Sequence, residues 1–169
     1  MRACIRRGIK QIGGSSIEVE QHGKRLLIDL GLPLDAPANT ADIVPDGLVH
    51  DGTDQNLLGI LISHPHLDHY GLQAHVDGSI PIGLGPSARR VLAAAAPFLP
   101  GTWPVPSAGW NYESGHPFEI GPFTIPPFLV DHSAYDAYAL LIEGGGDRLF
   151  YSGDFRGHGR KAALLDRLV

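Results

Sequence analysis

Residues 57–72, LLGILISHPHLDHYGL, decide how the rest of this sequence is interpreted. The stretch begins with six residues, at positions 57–62, that are apolar or glycine with no charge among them. Such a run is typical of a β-strand covered on both faces, and Pro65 marks where the strand must end. His64, His66, Asp68 and His69 follow in close succession. The stretch therefore predicts a buried strand that leads directly into a cluster of polar side chains.

The spacing of these polar side chains predicts a metal site. His64, His66 and Asp68 occupy alternate positions, so all three project to one side of an extended loop. His69 joins them if a helix starts directly after it. Imidazole and carboxylate donors without a thiolate suit zinc best, with iron and manganese as alternatives. A lone histidine is usually a surface or core residue, but this spacing of donors favours metal binding.

The motif HPHLDH fits the HxHxDH signature of the metallo-β-lactamase fold. Two later segments extend this resemblance: VDHSAYDA, which contains His132, and FYSGDF, which contains Asp154. They resemble the strand ends that supply a third histidine and a metal-bridging aspartate in that family. The HSxxD form (His132, Ser133, Asp136) followed by SGDF is most similar to the ribonuclease J branch of RNA-processing nucleases. The resemblance runs from about residue 5 to the C-terminus.

The resemblance implies an α/β fold, the αββα sandwich of the metallo-β-lactamases. Residues 1–169 would form a single partial domain, with the N-terminal half of the sandwich and the start of its second sheet. Two zinc ions are implied, held by His64, His66 and His132 at the first site, by Asp68 and His69 at the second, and by Asp154 as a bridge. A water shared by the ions would be the nucleophile, and Asp68 could also act catalytically by accepting its proton.

One ligand of the family pattern is missing. The family completes the second metal site with a histidine from the far C-terminal half, and the sequence has no clear replacement. His158 in FRGHGRK is the nearest candidate, although an ordinary glycine-rich loop would explain it equally well. Asp29, at the end of LLIDLG, is expected either near the site without binding metal or as a turn-capping residue.

Three functions fit these motifs. The first is a metal-dependent hydrolase of phosphodiesters, similar to an RNA-processing nuclease, with RNA as its substrate. The second is a small-molecule hydrolase of the same fold that acts on an ester, thioester or lactone, since the pocket alone decides the substrate. The third is an inactive metal-binding fragment, suggested by the missing ligand and the partial second sheet. The partial sheet also predicts self-association, or a need for the missing C-terminal half, because an apolar face would lack its cover.

Composition places limits on these functions. The chain has 169 residues, 43% of them hydrophobic, which is enough for one domain with a core. No apolar run is long enough to span a membrane and no signal peptide is evident, so we expect a cytoplasmic protein without a membrane partner. The net charge of −5 gives no general attraction to nucleic acid. A local basic patch is the alternative, formed by Arg6, Arg7, Lys10, Arg89 and Arg90.

The remaining pattern predicts the following elements. Alternating apolar residues predict a hairpin over residues 17–30, preceded by a glycine-bearing loop, QIGGSS, which the family has beside its metals. Helices are expected at residues 71–76, 88–96 and 161–168, and an antiparallel meander of strands over residues 117–152. Cys4 is expected to be a small buried side chain. The proline-rich segment 98–112, with Trp103 and Trp110, is either a substrate-flanking loop or a loop packed onto the core.

Overall fold

In the computed structural model, the described residues are 1–45, 54–98, 105 and 109–168. Trp103, which the sequence analysis singled out, lies outside these ranges. The first sheet has five strands in the order β1-β2-β3-β4-β5. They are β1 (Arg2–Arg7), β2 (Ser16–Gln21), β3 (Lys24–Ile28), β4 (Leu57–Leu61) and β5 (Ile82–Gly83). The β1-β2-β3 part is antiparallel, which confirms the predicted hairpin, and β3, β4 and β5 run parallel.

The second sheet is antiparallel throughout, which confirms the predicted meander. Its strands are β6 (Phe118–Ile120), β7 (Phe123–Ile125), β8 (Pro127–Val130), β9 (Ala137–Gly144) and β10 (Asp147–Tyr151). They are arranged as β10-β9-β7-β6, with β8 also paired to β9. Strands β7 and β8 are separated at Pro126, because proline has no N–H to donate to the ladder.

The helices differ from the prediction in position and type. The first, α1 (Leu67–Tyr70), contains the ligand motif itself, so the helix expected at residues 71–76 starts earlier, and only a 3₁₀ turn (Gln73–His75) follows it. The second, α2 (Pro86–Ala95), lies close to its predicted range. The C-terminal helix is a 3₁₀ helix (Ala162–Arg167), since apolar residues spaced by three, at positions 162, 165 and 168, match the 3₁₀ repeat. Within the described ranges, no helix has the length and hydrophobicity to cross a membrane.

The two sheets pack face to face. Val19, Leu26 and Ile28 of the first sheet share a cluster with side chains of the second sheet such as Phe123 and Leu140. The other face of the first sheet is covered by the helical segments, through residues that include Tyr70, Leu72 and Ala88. A small cluster around Val130, Ala137 and Ala139, with Leu168 against it, lies elsewhere on the second sheet. This is the expected partial α/β sandwich.

Trp110, near the end of the proline-rich segment, also packs onto this core. Trp110 stacks on Phe118, with 6.4 Å between ring centroids, and lies against Gly59 of β4. Trp110 therefore packs its loop onto the core, which was one of the two interpretations of segment 98–112.

Strand β1 is the poorly covered part of the sandwich. Ile5 pairs with Ile17 of β2 and yet is 55% exposed. The expectation of a buried Cys4 is wrong, because Cys4 lies on this edge strand and is exposed. The charges on β1 are largely paired, since Arg6 contacts the buried Glu18 at 2.7 Å and Arg2 contacts Glu20 at 3.5 Å.

The expected basic patch is not formed as one surface. Arg6 and Arg7 lie on β1, at one edge of the first sheet. Arg89 and Arg90 lie on α2, which follows β5 at the opposite edge. Arg7 donates to the carbonyl of Ile43 at 2.6 Å, so its guanidinium is engaged in holding a loop. The sheet order therefore separates the arginines that the sequence placed together.

Backbone hydrogen bonds fix α1 against the end of β3. Leu30 N–H donates to the carbonyl of His69 at 2.8 Å, and Leu32 N–H donates to that of Leu67 at 2.9 Å. Between them, Gly31 lies so close to α1 that a Cβ there would overlap the carbonyl group of Asp68. A glycine at position 31 is therefore a condition for seating the ligand-bearing helix.

We expect Gly31→Ala to destabilise the fold by about 3 kcal/mol, the upper part of the usual range for overpacking. In a thermal melt this corresponds to a midpoint lower by about 10 °C. Gly78→Ala is the matched control, because a Cβ at Gly78 meets no atom within 4 Å. Equal midpoints for the two variants would contradict the close packing of α1.

We also expect the chain to self-associate through β1, since an edge strand with an exposed apolar side chain and paired charges can add to another strand. Ile5→Lys should shift the association to higher concentration by at least about tenfold in analytical ultracentrifugation. Ile9→Lys is the control, because Ile9 is also exposed but lies outside the strand. A monomer at all concentrations would show this expectation to be wrong.

Candidate metal centre

The side chains singled out as ligands lie at strand ends of both sheets. His64 and His66 follow β4, and Asp68 and His69 belong to α1. His132 comes soon after β8, and Asp154 soon after β10. The rings of His64, His66 and His132 have centroids 4.6 to 4.9 Å apart. Residues distant in sequence therefore converge where the two sheets end.

Among the described residues, two groups of donors could each hold a metal ion. The first is His64, His66 and His132, and the second is His64, His69 and Asp154, with the donor atoms of each group within 4.8 Å of one another. In the first group, His132 Nε2 lies 3.2 Å from His66 Nδ1. In the second, His69 Nε2 lies 3.6 Å from Asp154 Oδ2. The groups share His64, whereas the resemblance had implied Asp154 as the shared residue.

Asp68 and His158 have different positions relative to these groups. Asp68 Oδ2 lies 3.6 Å from His69 Nε2, and its side chain is partly exposed. A Cβ on Gly13 would come within 2.7 Å of Asp68 Cβ, so the glycine-bearing loop lies beside the site as expected. His158 is exposed and belongs to neither group. Asp68 is therefore at the margin of the second group, and His158 is apart from both.

Asp136 of the HSxxD motif supports a helix instead of a metal. Its Oδ2 accepts hydrogen bonds from the N–H groups of Ser87 at 2.7 Å and Ala88 at 3.0 Å, in the first turn of α2. Its φ of 67° is in the left-handed region. The carboxylate therefore satisfies the free N–H groups of that helix and ties the segment after His132 to the first half of the fold.

Asp29 organises the environment of the histidines. It is fully buried and has a φ of 57°. Its Oδ1 accepts from Ser63 N–H at 2.7 Å, and its Oδ2 accepts from Ser63 Oγ at 2.8 Å, His69 Nδ1 at 2.7 Å and Tyr151 Oη at 2.5 Å. Of the two interpretations of Asp29, a residue near the site that is in neither donor group is the one this geometry supports.

Sequence reasoning missed Ser63 and Tyr151. Both lie in segments that it used. Ser63 is in the stretch 57–72, directly before HPHLDH, and Tyr151 is the tyrosine of FYSGDF. The alternation of β10 could have identified Tyr151, because Leu149 and Tyr151 both face the inter-sheet core.

These hydrogen bonds set the tautomer of His64. Ser63 Oγ has one proton, and the carboxylate of Asp29 can only accept it. His64 Nδ1, 3.0 Å from Ser63 Oγ, must therefore donate, and the lone pair of His64 is on Nε2. That nitrogen is buried and has no hydrogen-bond partner among the described residues. A buried acceptor without a partner is costly, and a cation bound there would satisfy it.

The charge state of the site differs between the groups. Burial, with added repulsion from His69, His132 and His66, lowers the pKa of His64 to about 2, so this ring stays neutral. Burial and then the charge of His66 also lower the pKa of His132. For His69, burial lowers the pKa, but the hydrogen bond and charge of Asp29, followed by the charges of Asp154 and Asp68, outweigh it and raise the pKa. The neutral ring of His64 and the carboxylates around the second group suit divalent metal binding.

Arg156 and Asp131 form a further contact directly beside His132. Arg156 N–H donates to the carbonyl of Asp131 at 2.8 Å, and Arg156 Nε lies 3.5 Å from Asp131 Oδ2. The Asp131 side chain is buried, and a Cβ at Gly159 would overlap it. The segment after Asp154 therefore wraps the residue adjacent to His132.

Comparison with known proteins places this geometry in a family. The sequence profile described as the beta-lactamase superfamily domain matches residues 24–167, nearly the whole chain. The chain belongs to the beta-lactamase superfamily. Members of this superfamily with the metallo-β-lactamase fold include hydrolases that bind divalent metals. This agrees with the two donor groups of the chain.

The predicted similarity to ribonuclease J is confirmed. Ribonuclease J of Sinorhizobium meliloti is 26% identical over 139 residues, which cover 80% of this superfamily chain and 24% of that protein. Ribonuclease J of Helicobacter pylori is 26% identical over 153 residues, which cover 88% of the chain and 22% of that protein. The chain thus spans less than a quarter of the length of these relatives.

Solved structures confirm the fold. A protein of unknown function from Enterococcus faecalis V583 superposes with a TM-score of 0.83 and 24% identity, over 98% of this chain and 46% of that one. The metallo-beta-lactamase fold protein YhfI from Bacillus subtilis gives a TM-score of 0.58 and 18% identity, over 90% and 62% of the two chains. The metallo-beta-lactamase MIM-1 from Novosphingobium pentaromativorans gives 0.57 and 20%, over 90% and 63%.

We expect the purified chain to bind between one and two equivalents of zinc, measured by elemental analysis after dialysis. His66→Ala should release the ion of the first group and leave His64 to the second group, whereas His64→Ala with His66→Ala should also remove that donor from the second group. His116→Ala is the control, since that side chain is 70% exposed. Zinc content that is unchanged in the double variant would contradict the assignment.

Proposed function

We propose that this chain is the metal-binding part of a hydrolase that cleaves phosphodiester bonds in RNA, with zinc as its metal. The observation that carries the proposal is the pair of adjacent donor groups, one of three imidazoles and one of imidazole and carboxylate, which share the buried His64. The 26% identity to ribonuclease J across most of the chain supports the choice of RNA. His64, His66 and His132 would hold the first ion, and His69 and Asp154, with Asp68 beside them, would hold the second.

The residues around the groups have distinct roles in this proposal. Divalent ions bound there would polarise the scissile phosphoryl oxygen and lower the pKa of a water towards neutrality. Ser63 and Asp29 keep the ring nitrogens of His64 and His69 in the tautomers that face the site. The partly exposed carboxylate of Asp68 would accept the proton of the attacking water, since it lies beside His69 and open to solvent.

Arg156 supports an anionic substrate. Its charge lies close enough to His132 to contribute to the lowered pKa of that ring, after burial and the charge of His66. The side chain is 36% exposed, and its guanidinium can present further N–H donors to a phosphate oxygen. The positive charge of Arg156 beside the first group would offset the negative charges of Asp68 and Asp154, which would otherwise repel a phosphodiester.

A second candidate is a small-molecule hydrolase that acts on an ester, thioester or lactone. Ile12 and Leu34 favour it, because they are 76% and 77% exposed and are joined by a backbone hydrogen bond of 3.1 Å. They flank Gly13, which lies against Asp68. An apolar acyl group could contact them beside the metal centre.

We expect weak hydrolysis of bis(p-nitrophenyl) phosphate and of a single-stranded RNA oligonucleotide, rising with added zinc or manganese. Asp154→Ala should reduce it by about 100-fold or more, because that change removes the carboxylate donor of the second group. His158→Ala is the control, since His158 is exposed and outside both groups.

The same protein is assayed with p-nitrophenyl acetate, a thioester and a lactone. Faster metal-dependent turnover of these substrates than of the phosphodiesters would favour the second candidate. Metal binding without turnover of any substrate would mean that the chain is an inactive metal-binding fragment. Phosphodiester hydrolysis that survives Asp154→Ala would contradict the proposed site.

A further inference from the structure

The hydroxyl of Tyr151 lies in a position that packing alone does not explain. Tyr151 is at the end of β10, on the face that packs against the first sheet. Its Oη donates to Asp29 Oδ2 at 2.5 Å, across the interface between the sheets. Asp29 Oδ2 also accepts from His69 Nδ1 at 2.7 Å and from Ser63 Oγ at 2.8 Å. This one carboxylate oxygen therefore links Tyr151 of the second sheet to Ser63 and His69 at the metal centre.

We propose that Tyr151 is a positioning residue for the second donor group, acting through Asp29 on His69. Asp29 accepts a hydrogen bond from Nδ1–H of His69, so that Nε2 of the ring faces Asp68 and Asp154. The orientation of the Asp29 carboxylate therefore decides the direction of the His69 ring. Among the described residues, Tyr151 is the donor that reaches Asp29 Oδ2 from the second sheet.

The hydroxyl, and not the ring, is the part that this role requires. Burial, with the charge and hydrogen bond of Asp29, raises the pKa of Tyr151, so the hydroxyl remains a donor at all physiological pH values. A phenylalanine would fill the same space against the inter-sheet cluster. Removing the hydroxyl leaves Asp29 with Ser63 and His69 as donors among the described residues, so the carboxylate loses the contact that holds it from the second sheet.

Tyr138 provides a matched control. It lies on β9, packs in the same inter-sheet cluster, and its Oη donates to a buried carboxylate, Asp136, at 3.2 Å. Asp136 caps α2 and belongs to neither donor group. Tyr138→Phe therefore removes a comparable buried hydroxyl from the same sheet without touching Asp29.

The test measures zinc affinity by competition with a chromophoric chelator, for the wild type, Tyr151→Phe and Tyr138→Phe. Each is repeated in a His66→Ala background, where the remaining site is the second group. We expect Tyr151→Phe to weaken the second site about tenfold, at the lower end of the range for partners outside the first coordination shell, and to leave the first site unchanged. Tyr138→Phe should change neither affinity. Thermal melts of both variants check that they fold.

A double-mutant cycle with Asp29→Asn tests the route of the effect. If Tyr151 acts through Asp29, Tyr151→Phe should cause no further loss of affinity in the Asp29→Asn protein. Additive losses, an unchanged second site in Tyr151→Phe, or a wild type that binds zinc at the first group only would each overturn the inference. It rests on the proposed function through the metal site alone, so absent hydrolysis with these affinity changes would reject the function and keep the inference.

Discussion

The buried carboxylate of Asp29 is the interaction on which the rest of this structure depends. A carboxylate removed from water is unstable unless donors surround it, and Asp29 receives them from the end of β4, from α1 and from β10. Its left-handed φ of 57° costs on the order of 1 kcal/mol, which the hydrogen bonds offset. The same contacts that stabilise the charge therefore align the two sheets and the ligand helix. Stability and site geometry come from one set of bonds.

This arrangement explains why the ligands stand at strand ends. The main-chain bonds from Leu30 and Leu32 to α1 place the helix directly after the strand that carries Asp29. Asp136 then joins the loop after His132 to α2, and Asp131 joins the segment after Asp154 to His132. Each ligand loop is thus tied to a neighbouring element by a carboxylate. Asp29, Asp131 and Asp136 therefore connect segments of the chain, and none of the three belongs to a donor group.

The sequence predicted those parts of the fold that depend on local pattern. The apolar run of β4, the hairpin of β2 and β3, and the meander of the second sheet all follow from alternation and turn residues, and HPHLDH identified the ligand cluster. It could not predict that α1 begins at Leu67, because the bonds that fix this helix come from residues 30–32. The exposure of Cys4 and the separation of Arg6 from Arg89 depend on strand order, and the roles of Ser63 and Tyr151 depend on contacts across the two sheets.

The donor atoms themselves limit how the centre can be filled. His64 belongs to both groups but has one available lone pair, on Nε2, because Nδ1 donates to Ser63. One ion can take that lone pair fully. If it lies with His66 and His132, three protein donors hold it, and a tetrahedral ion keeps one position for a non-protein ligand. Among the described residues, the second ion would then have His69 and Asp154, with Asp68 as a further donor whose Oδ2 lies 3.6 Å from His69 Nε2. Asp68 would thus complete the second site if both ions were bound, and its other carboxylate oxygen would still be able to accept a proton.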